Sequence, residues 1–344
     1  MPKRVNNIFD EKIKFNYMLQ AYKRAAKGKY TYKEIILFQM DLANNITQIL
    51  KDIYTNKYVV GKYRKFTIYE PKKREIWSLP FRDRVVHQWY VEEFIKPIFL
   101  PQFIEDTYAC LEGKGVHKAV KKLKKYMSKK YNENKEYYIL KCDISKYFYS
   151  INKNILYGIL ERKCKDHKFL SFTKKIIYSR GSKDIGIPIG NYTSQYFANI
   201  YLNELDHYVK EKLKIKYYVR YMDDFILLVN NKQEAKKIKQ LISGFLNEKL
   251  HLQLNSKTNY FKNNQGVNFC GYKLKENKIQ VVKSNKKKIY KRVKKWNILY
   301  NQNKLDLKNT CMRLNSWAGH AGHATSMALI ENVKNKCEWL YKIN

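Results

Sequence analysis

The stretch Tyr217-Tyr218-Val219-Arg220-Tyr221-Met222-Asp223-Asp224-Phe225-Ile226-Leu227-Leu228-Val229 sets two adjacent carboxylates in the middle of an otherwise apolar, β-branched and aromatic run. Such a run reads as two buried strands joined by a tight turn. Ionised carboxylates in those surroundings are costly unless a cation or a donor compensates them. Either the pair sits at a solvent-exposed turn, where Asp is ordinary, or it holds metal. A second apolar strand, Tyr137-Tyr138-Ile139-Leu140-Lys141-Cys142-Asp143-Ile144, also ends in a single carboxylate. If the two strands are neighbours, three carboxylates converge. Such a set can bridge two oxygen-preferring cations about 3.5–4 Å apart, one activating a 3′-hydroxyl and one taking charge on leaving pyrophosphate. That is phosphoryl transfer by positioning and charge. Hard ligands and substrate phosphates make Mg²⁺ the expected ion, with Mn²⁺ as its substitute.

Working outward, Lys+Arg number 69 against 30 Asp+Glu, a net charge of +39. A field of that sign attracts a polyanion and releases its counterions. Compositional drift toward Lys, Asn, Ile and Tyr explains part of it, because a basic surface is evidence only where it clusters. With 344 residues and 44% hydrophobic content the chain buries one large core or a few coupled subdomains. Cys110, Cys142, Cys164, Cys270, Cys311 and Cys337 are scattered without a Cys-x-x-Cys pair and read as reduced core thiols. Met1-Pro2-Lys3-Arg4 opens no secretory signal and no apolar run approaches the roughly 18 residues of a membrane span, so a cytoplasmic protein without membrane contact is expected.

The periodicity predicts helices over 9–26 and 31–55, the second with Ile36, Met40, Ile46, Leu50 and Ile53 on its apolar stripe. A hairpin follows between Tyr63 and Leu79, with Glu70-Pro71-Lys72-Lys73-Arg74 at its tip or flank. A helix from Asp83 to about Ile95 stops near Pro97, and 116–130 forms a very basic helix before a polar turn at Asn132–Lys135. Strands at 137–144 and 217–229 bracket a helix from about Ser194 to Lys212, and the chain from Lys283 is lysine-rich and helical. No repeat and no long linker interrupts it.

From about residue 60 to 340 the sequence resembles reverse transcriptases. Asp143-Ile144-Ser145-Lys146-Tyr147-Phe148 is similar to the first catalytic motif of that family and Tyr221-Met222-Asp223-Asp224 to the second, with 80 residues from Asp143 to Asp223. The resemblance implies an α+β right-hand polymerase: an N-terminal helical extension over 1–55, fingers over 56–136, an antiparallel-sheet palm over 137–282 and a helical thumb over 283–344. It implies an RNA-directed DNA polymerase whose two metal ions lie at Asp143, Ile144, Asp223 and Asp224. Lys72 and Arg74 match the hairpin that grips the incoming dNTP, a bidentate task suited to Arg; a solvated hairpin tip is the plain alternative. Phe148 matches the gate that excludes a ribose 2′-hydroxyl, and could equally be core. Lys257 matches a lysine near the leaving pyrophosphate. Val267-Asn268-Phe269-Cys270-Gly271-Tyr272 resembles the primer grip, which with Tyr221 and Met222 implies template and primer contact by Cys270 and Gly271. Ser316-Trp317-Ala318-Gly319-His320 resembles the thumb. His320 and His323, with no Cys or carboxylate beside them, point to packing or phosphate contact before metal.

Ile187-Pro188-Ile189-Gly190-Asn191-Tyr192-Thr193-Ser194-Gln195 matches the segment that meets the templating base pair, with Ile189 and Gly190 on the nucleotide and Ser194 and Gln195 on the template. Most relatives carry Gln-Gly and Ser-Pro where this chain has Ile189-Gly190 and Ser194-Gln195. That departure resembles the enzymes of diversity-generating retroelements, bacterial, archaeal or phage-encoded. It implies cDNA made from a template-repeat RNA with errors at template adenines, an RNA/cDNA heteroduplex, and a small basic accessory protein as partner. A phage-defence, retron or group II intron-like reverse transcriptase is the nearest rival. An RNA-making polymerase is disfavoured by Phe148, and a catalytically silent RNA-binding scaffold by the three intact carboxylates. The length leaves no room after the thumb for a ribonuclease H, endonuclease or integrase domain.

Overall fold

The computed structural model describes residues 4–69, 73–181 and 184–340. Along the chain run α1 (Phe15–Ala26), α2 (Lys33–Met40), α3 (Leu42–Tyr54), the hairpin β1 (Arg64–Ile68) and β2 (Arg74–Ser78), α4 (Phe81–Tyr90) and α5 (Lys96–Phe99). Next come α6 (Val116–Glu133), β3 (Tyr138–Asp143), α7 (Tyr147–Ser150), α8 (Lys153–Glu161), α9 (His167–Ile177) and α10 (Tyr192–His207). Then follow β4 (Tyr218–Tyr221), β5 (Asp224–Val229), α11 (Lys232–Leu250), β6 (Asn259–Lys262), β7 (Val267–Phe269), β8 (Tyr272–Leu274) and β9 (Ile279–Val281). Helices α12 (Lys283–Asn301), α13 (Leu307–Gly322) and α14 (Met327–Asn335) complete the chain.

Two compact units divide these elements. The first comprises residues 1–105, 144–214 and 240–256. Its core is aromatic: Phe9 packs on Trp89, Phe94 and Phe172 with ring centroids 5.4–5.7 Å apart, and Tyr90 stacks on Phe169 at 5.7 Å. Buried Asp166 caps α9 through the Lys168 and Phe169 amides and accepts the Ile8 and Phe9 amides at 2.8 and 2.9 Å. Residues 8 and 9 are thereby built into this core.

Several helix boundaries differ from the sequence reading, the first being the helix expected over 9–26, which begins at Phe15 after a 3₁₀ turn at Asp10–Lys12 because Lys14 is extended. The helix expected over 31–55 breaks at Asp41, whose φ of −129° leaves the helical region and whose carboxylate accepts from Asn44. The apolar stripe breaks with it, so Ile36 and Met40 are exposed while Ile46 and Ile53 are buried. Pro97 does not end its helix either. Val91–Ile95 widens into a π-turn, and α5 restarts with Pro97 in its first turn, where the missing N–H costs nothing.

The second unit comprises residues 106–143, 215–239 and 257–344. Its four-stranded antiparallel sheet runs β4-β5-β3-β6, and β7-β8-β9 form a separate three-stranded sheet. Ala119, Val120, Leu123 and Met127 of α6 pack on Ile139, Val219, Ile226 and Leu228 of the first sheet and on Val267, Phe269 and Tyr272 of the second. Trp296, Trp317 and Trp339 lead the core of α12–α14. Of the six cysteines, none in a disulfide, Cys142, Cys164 and Cys337 are buried while Cys110, Cys270 and Cys311 are half-exposed, so the core-thiol expectation holds for three.

Candidate active site

β4 and β5 pair from Tyr218↔Leu227 to Tyr221↔Asp224, leaving Met222 and Asp223 as a two-residue turn. Met222 takes a φ of +57°, a left-handed conformation unfavourable for a side chain with a Cβ. Arg220 supports it from inside the fold. Its side chain is fully buried, its Nη1 donates to the Met222 carbonyl at 3.1 Å and its Nη2 to Thr107 Oγ1 at 3.4 Å. The Arg220 backbone also pairs with the 106–108 segment, donating to the Asp106 carbonyl at 2.9 Å and accepting from the Tyr108 amide at 3.0 Å.

β3 pairs with β5 so that Asp143 lies directly opposite Asp224. The Thr258 hydroxyl bridges the Asp143 backbone, accepting from its amide at 3.2 Å and donating to its carbonyl at 3.3 Å. Two residues back on β3, Lys141 Nζ sits 3.4 Å from Asp224 Oδ2 and donates to the Asn268 carbonyl at 2.5 Å. Burial pushes the Asp224 carboxyl up to about 6; the charges of Asp143 and Asp223 add to that, and Lys141 opposes it. Asp224 Oδ1 is buried without a hydrogen-bond partner. An orphaned hard oxygen in a carboxylate cluster fits a divalent cation. Among the described residues no three His, Cys, Asp or Glu side chains are gathered closely enough to hold an ion alone.

Other residues singled out in the sequence lie in the same unit. Lys257 is exposed next to Thr258. Tyr221 ends β4 and Met222 opens the turn. Cys270 and Gly271 form the β7–β8 turn at φ +48° and +87°, and a Cβ on Gly271 would lie 3.4 Å from His320 Cε1. The Cys270 thiol is pushed up by burial and then by the Asp224 charge, which places this turn within electrostatic reach of the carboxylates. His320 stacks on Tyr272 at 4.5 Å and His323 on His117 at 3.5 Å; this is packing of α13 onto α6 and β8.

The first unit holds the remainder. Lys72 lies outside the described residues, and Arg74 opens β2, exposed and paired with Ile68. The Trp77 amide donates to the Ile189 carbonyl at 2.8 Å, so β2 and the Ile187–Gln195 segment are joined. Gly190 has φ +120°, and a Cβ there would stand 2.9 Å from Ile76 Cγ2 and 3.1 Å from the Trp77 carbonyl; only Gly allows this approach. Half-buried Phe148 accepts the Ile187 amide on its carbonyl at 2.9 Å and meets Tyr147 edge-on. Ile144 is buried and bridges to Leu254. Ser194 is buried in the first turn of α10, and Gln195 beside it is exposed.

A family model described as reverse transcriptase (RNA-dependent DNA polymerase) matches residues 65–274, more than half of the chain. The chain belongs to the reverse transcriptase family. It has the right-hand polymerase fold, in a family that works with divalent metal ions, and it is related to group II intron reverse transcriptases. The reverse transcriptase is 26% identical to protein YkfC of Escherichia coli over 275 residues, 66% of this chain and 70% of that one. It is 22% identical to the group II intron-encoded protein LtrA of Lactococcus lactis, over 72% of this chain and 52% of LtrA. A telomerase from Candida albicans, solved with the TWJ fragment of telomeric RNA, shares the fold with a TM-score of 0.50 at 13% identity, over 70% of this chain and 51% of the telomerase. The reverse transcriptase thus spans about half of LtrA and of the telomerase. No helix among its described residues is long and apolar enough to cross a membrane.

Sequence reading passed over Arg220, Lys141 and Thr258, which brace the carboxylates. The signal for the first two was present. A charged residue inside an apolar strand asks for a partner whatever its sign, and both sit in the strands whose aspartates drew notice. Thr258 carries no such signal, since its role comes from the β3–β6 pairing.

Proposed function

We propose that the reverse transcriptase copies an RNA template into cDNA with two Mg²⁺ ions, replaceable by Mn²⁺, at Asp143, Asp223 and Asp224 beside Ile144. The observation that carries this reading is the orphaned Asp224 Oδ1 opposite Asp143. When bound, the ions supply activation of a primer hydroxyl and neutralisation of the departing phosphates. The protein's own work is positional. Arg220 and Thr258 hold the two carboxylate-bearing backbones, and Lys141 keeps part of the negative charge compensated. Lys72, Arg74 and Lys257 take the triphosphate, Phe148 and Gly190 shape the sugar and base site, and Tyr221, Met222, Gln195 and the Cys270-Gly271 turn meet template and primer. We assign fingers to 56–136, palm to 137–282 and thumb to 283–344.

The finer reading is a diversity-generating retroelement, supported by Ile189-Gly190 and Ser194-Gln195. An aliphatic side chain at 189 cannot donate the hydrogen bond a Gln would, and the Ile189 carbonyl is already taken by Trp77. The nascent pair is then less constrained and template adenines are misread. A small basic accessory protein would meet a chain of the same sign, so RNA joins the two. The similarity to LtrA favours a second reading, a group II intron-like element copying accurately. Primer extension on an adenine-containing RNA with dNTPs or rNTPs, followed by sequencing, separates them. DNA with errors concentrated at adenines, reduced by Ile189→Gln, supports the first; accurate DNA supports the second; ribonucleotide product contradicts both.

A further inference from the structure

At the end of β3 remote from Asp143, the sheet opens into a cleft of about 850 Å³ lined by the C-terminal turn of α6, the end of β6 and the β8–β9 turn. Tyr138, at that end, pairs with Lys262. Five strand residues at about 3.3 Å each put the cleft about 17 Å from the carboxylates. The cleft is held open by its own scaffold. Ser128 Oγ of α6 donates to the Glu276 carbonyl at 2.5 Å, and Asn263 Nδ2 donates to the Lys135 carbonyl at 3.2 Å. The Glu276 carboxylate is occupied by Tyr137 Oη and Asn263 Nδ2 at 2.9 and 3.0 Å.

What faces the opening is mostly basic, amide-rich and aromatic, with one exposed carboxylate, Glu136, paired to Lys262 at 3.3 Å. Lys135, Lys262 and Lys278 are exposed at its rim with Asn132, Asn264 and Asn277. Tyr131 is 37% exposed there, with Lys135 Nζ 4.5 Å from its ring centroid. A lysine stripe leads into it. Lys118, Lys121, Lys125 and Lys129 are exposed along one side of α6, opposite the face that packs on the sheets. At about 1.5 Å per residue the stripe is about 16 Å long. The only carboxylate on α6 is Glu133, engaged by Lys216 and Tyr217.

We propose that this stripe and cleft form a second nucleic-acid site, which holds single-stranded RNA away from the polymerisation centre. Spaced ammonium groups track a phosphate backbone. Asn amides offer donors and acceptors to unpaired base edges, and an exposed tyrosine offers a stacking face. A folded duplex hides the base edges that the amides would read, and an acidic protein has no use for the stacking face. The site goes beyond polymerisation, because it needs neither divalent metal nor dNTP.

Anisotropy of a fluorescent oligouridylate of about 15 nucleotides tests it on the full chain. The triple substitution Lys135→Gln, Lys262→Gln, Lys278→Gln should weaken binding at least tenfold and lower the slope of log K against log salt by about 2, at about 0.7 per lysine on a single strand. Tyr131→Ala should weaken it about tenfold with the slope unchanged. Asp223→Asn should bind like the intact chain, whether or not the enzyme polymerises. Both cleft variants should extend a short primer–template with little overhang at the intact rate. Unchanged affinity and slope in the triple variant would overturn the proposal. So would a proportional loss of extension on the short template, or competition by polyglutamate as effective as competition by RNA at equal charge.

Discussion

The two ends of β3 pose opposite electrostatic problems. At Asp143, a carboxylate lies opposite half-buried Asp224, one oxygen of Asp224 is buried without a hydrogen-bond partner, and a cation fits. At Tyr138, Lys135, Lys262 and Lys278 are exposed around an open cleft, with Glu136 beside Lys262, and a polyanion fits. The first arrangement stores unfavourable energy in the fold until its ligand arrives; the second costs the fold little, because its charges stay hydrated. A single strand can therefore carry a site that demands structural support at one end and one that demands almost none at the other.

Four measurements would sharpen or break that contrast. The largest effect belongs to Asp224→Asn, which should lower nucleotide incorporation about a thousandfold. Measured without divalent ions, the same variant should melt at a higher temperature than the intact chain, because it removes a crowded charge. A variant that lost activity by melting lower would show that the carboxylate stabilises the fold instead. Arg220→Met comes next, with an expected loss of about 3 kcal/mol in chemical denaturation, since the buried guanidinium no longer donates to the Met222 carbonyl.

Smaller still is a pH effect. The folded Asp224 carboxyl is raised to about 6 from an ordinary 3.8, so its penalty is full above about 6 and is relieved as the folded state takes up a proton below it. The melting gap between Asp224→Asn and the intact chain should accordingly shrink as pH falls from 7 toward 5. A gap that widens would reverse the assigned sign. Smallest is the stability change of the Lys135, Lys262 and Lys278 triple variant, expected within about 0.5 kcal/mol as for other exposed positions. A loss of several kcal/mol would mean that the lysine end is structural after all.

The same contrast explains what was legible in the sequence. Asp143, Asp223 and Asp224 announce themselves because carboxylates recur in two β-branched, aromatic runs, where a solvent-exposed turn alone explains the pair but not the third. The hairpin at 64–78, the strands bearing the carboxylates and the basic helix follow from periodicity and turn chemistry, the Cys270-Gly271 turn from family resemblance, and the structure has them all. Lys135, Lys262 and Lys278 are silent by comparison, three among 69 basic residues, and only folding brings them to one rim. The missed break at Asp41 and the helix that survives Pro97 share another cause. Both depend on a local backbone excursion, one non-helical residue and one π-turn, that tertiary packing selects and side-chain pattern does not encode.

In the proposed reaction the Asp143–Asp224 pair works through a divalent cation to drive templated DNA synthesis. Single-turnover incorporation of one complementary dNTP on a primed RNA, started in EDTA and then supplied with Mg²⁺, tests it most directly. No product should form until Mg²⁺ is added, with rapid extension by the intact chain afterwards and about a thousandfold less from Asp224→Asn. Extension in EDTA, or an Asp224→Asn rate equal to that of the intact chain, would contradict it.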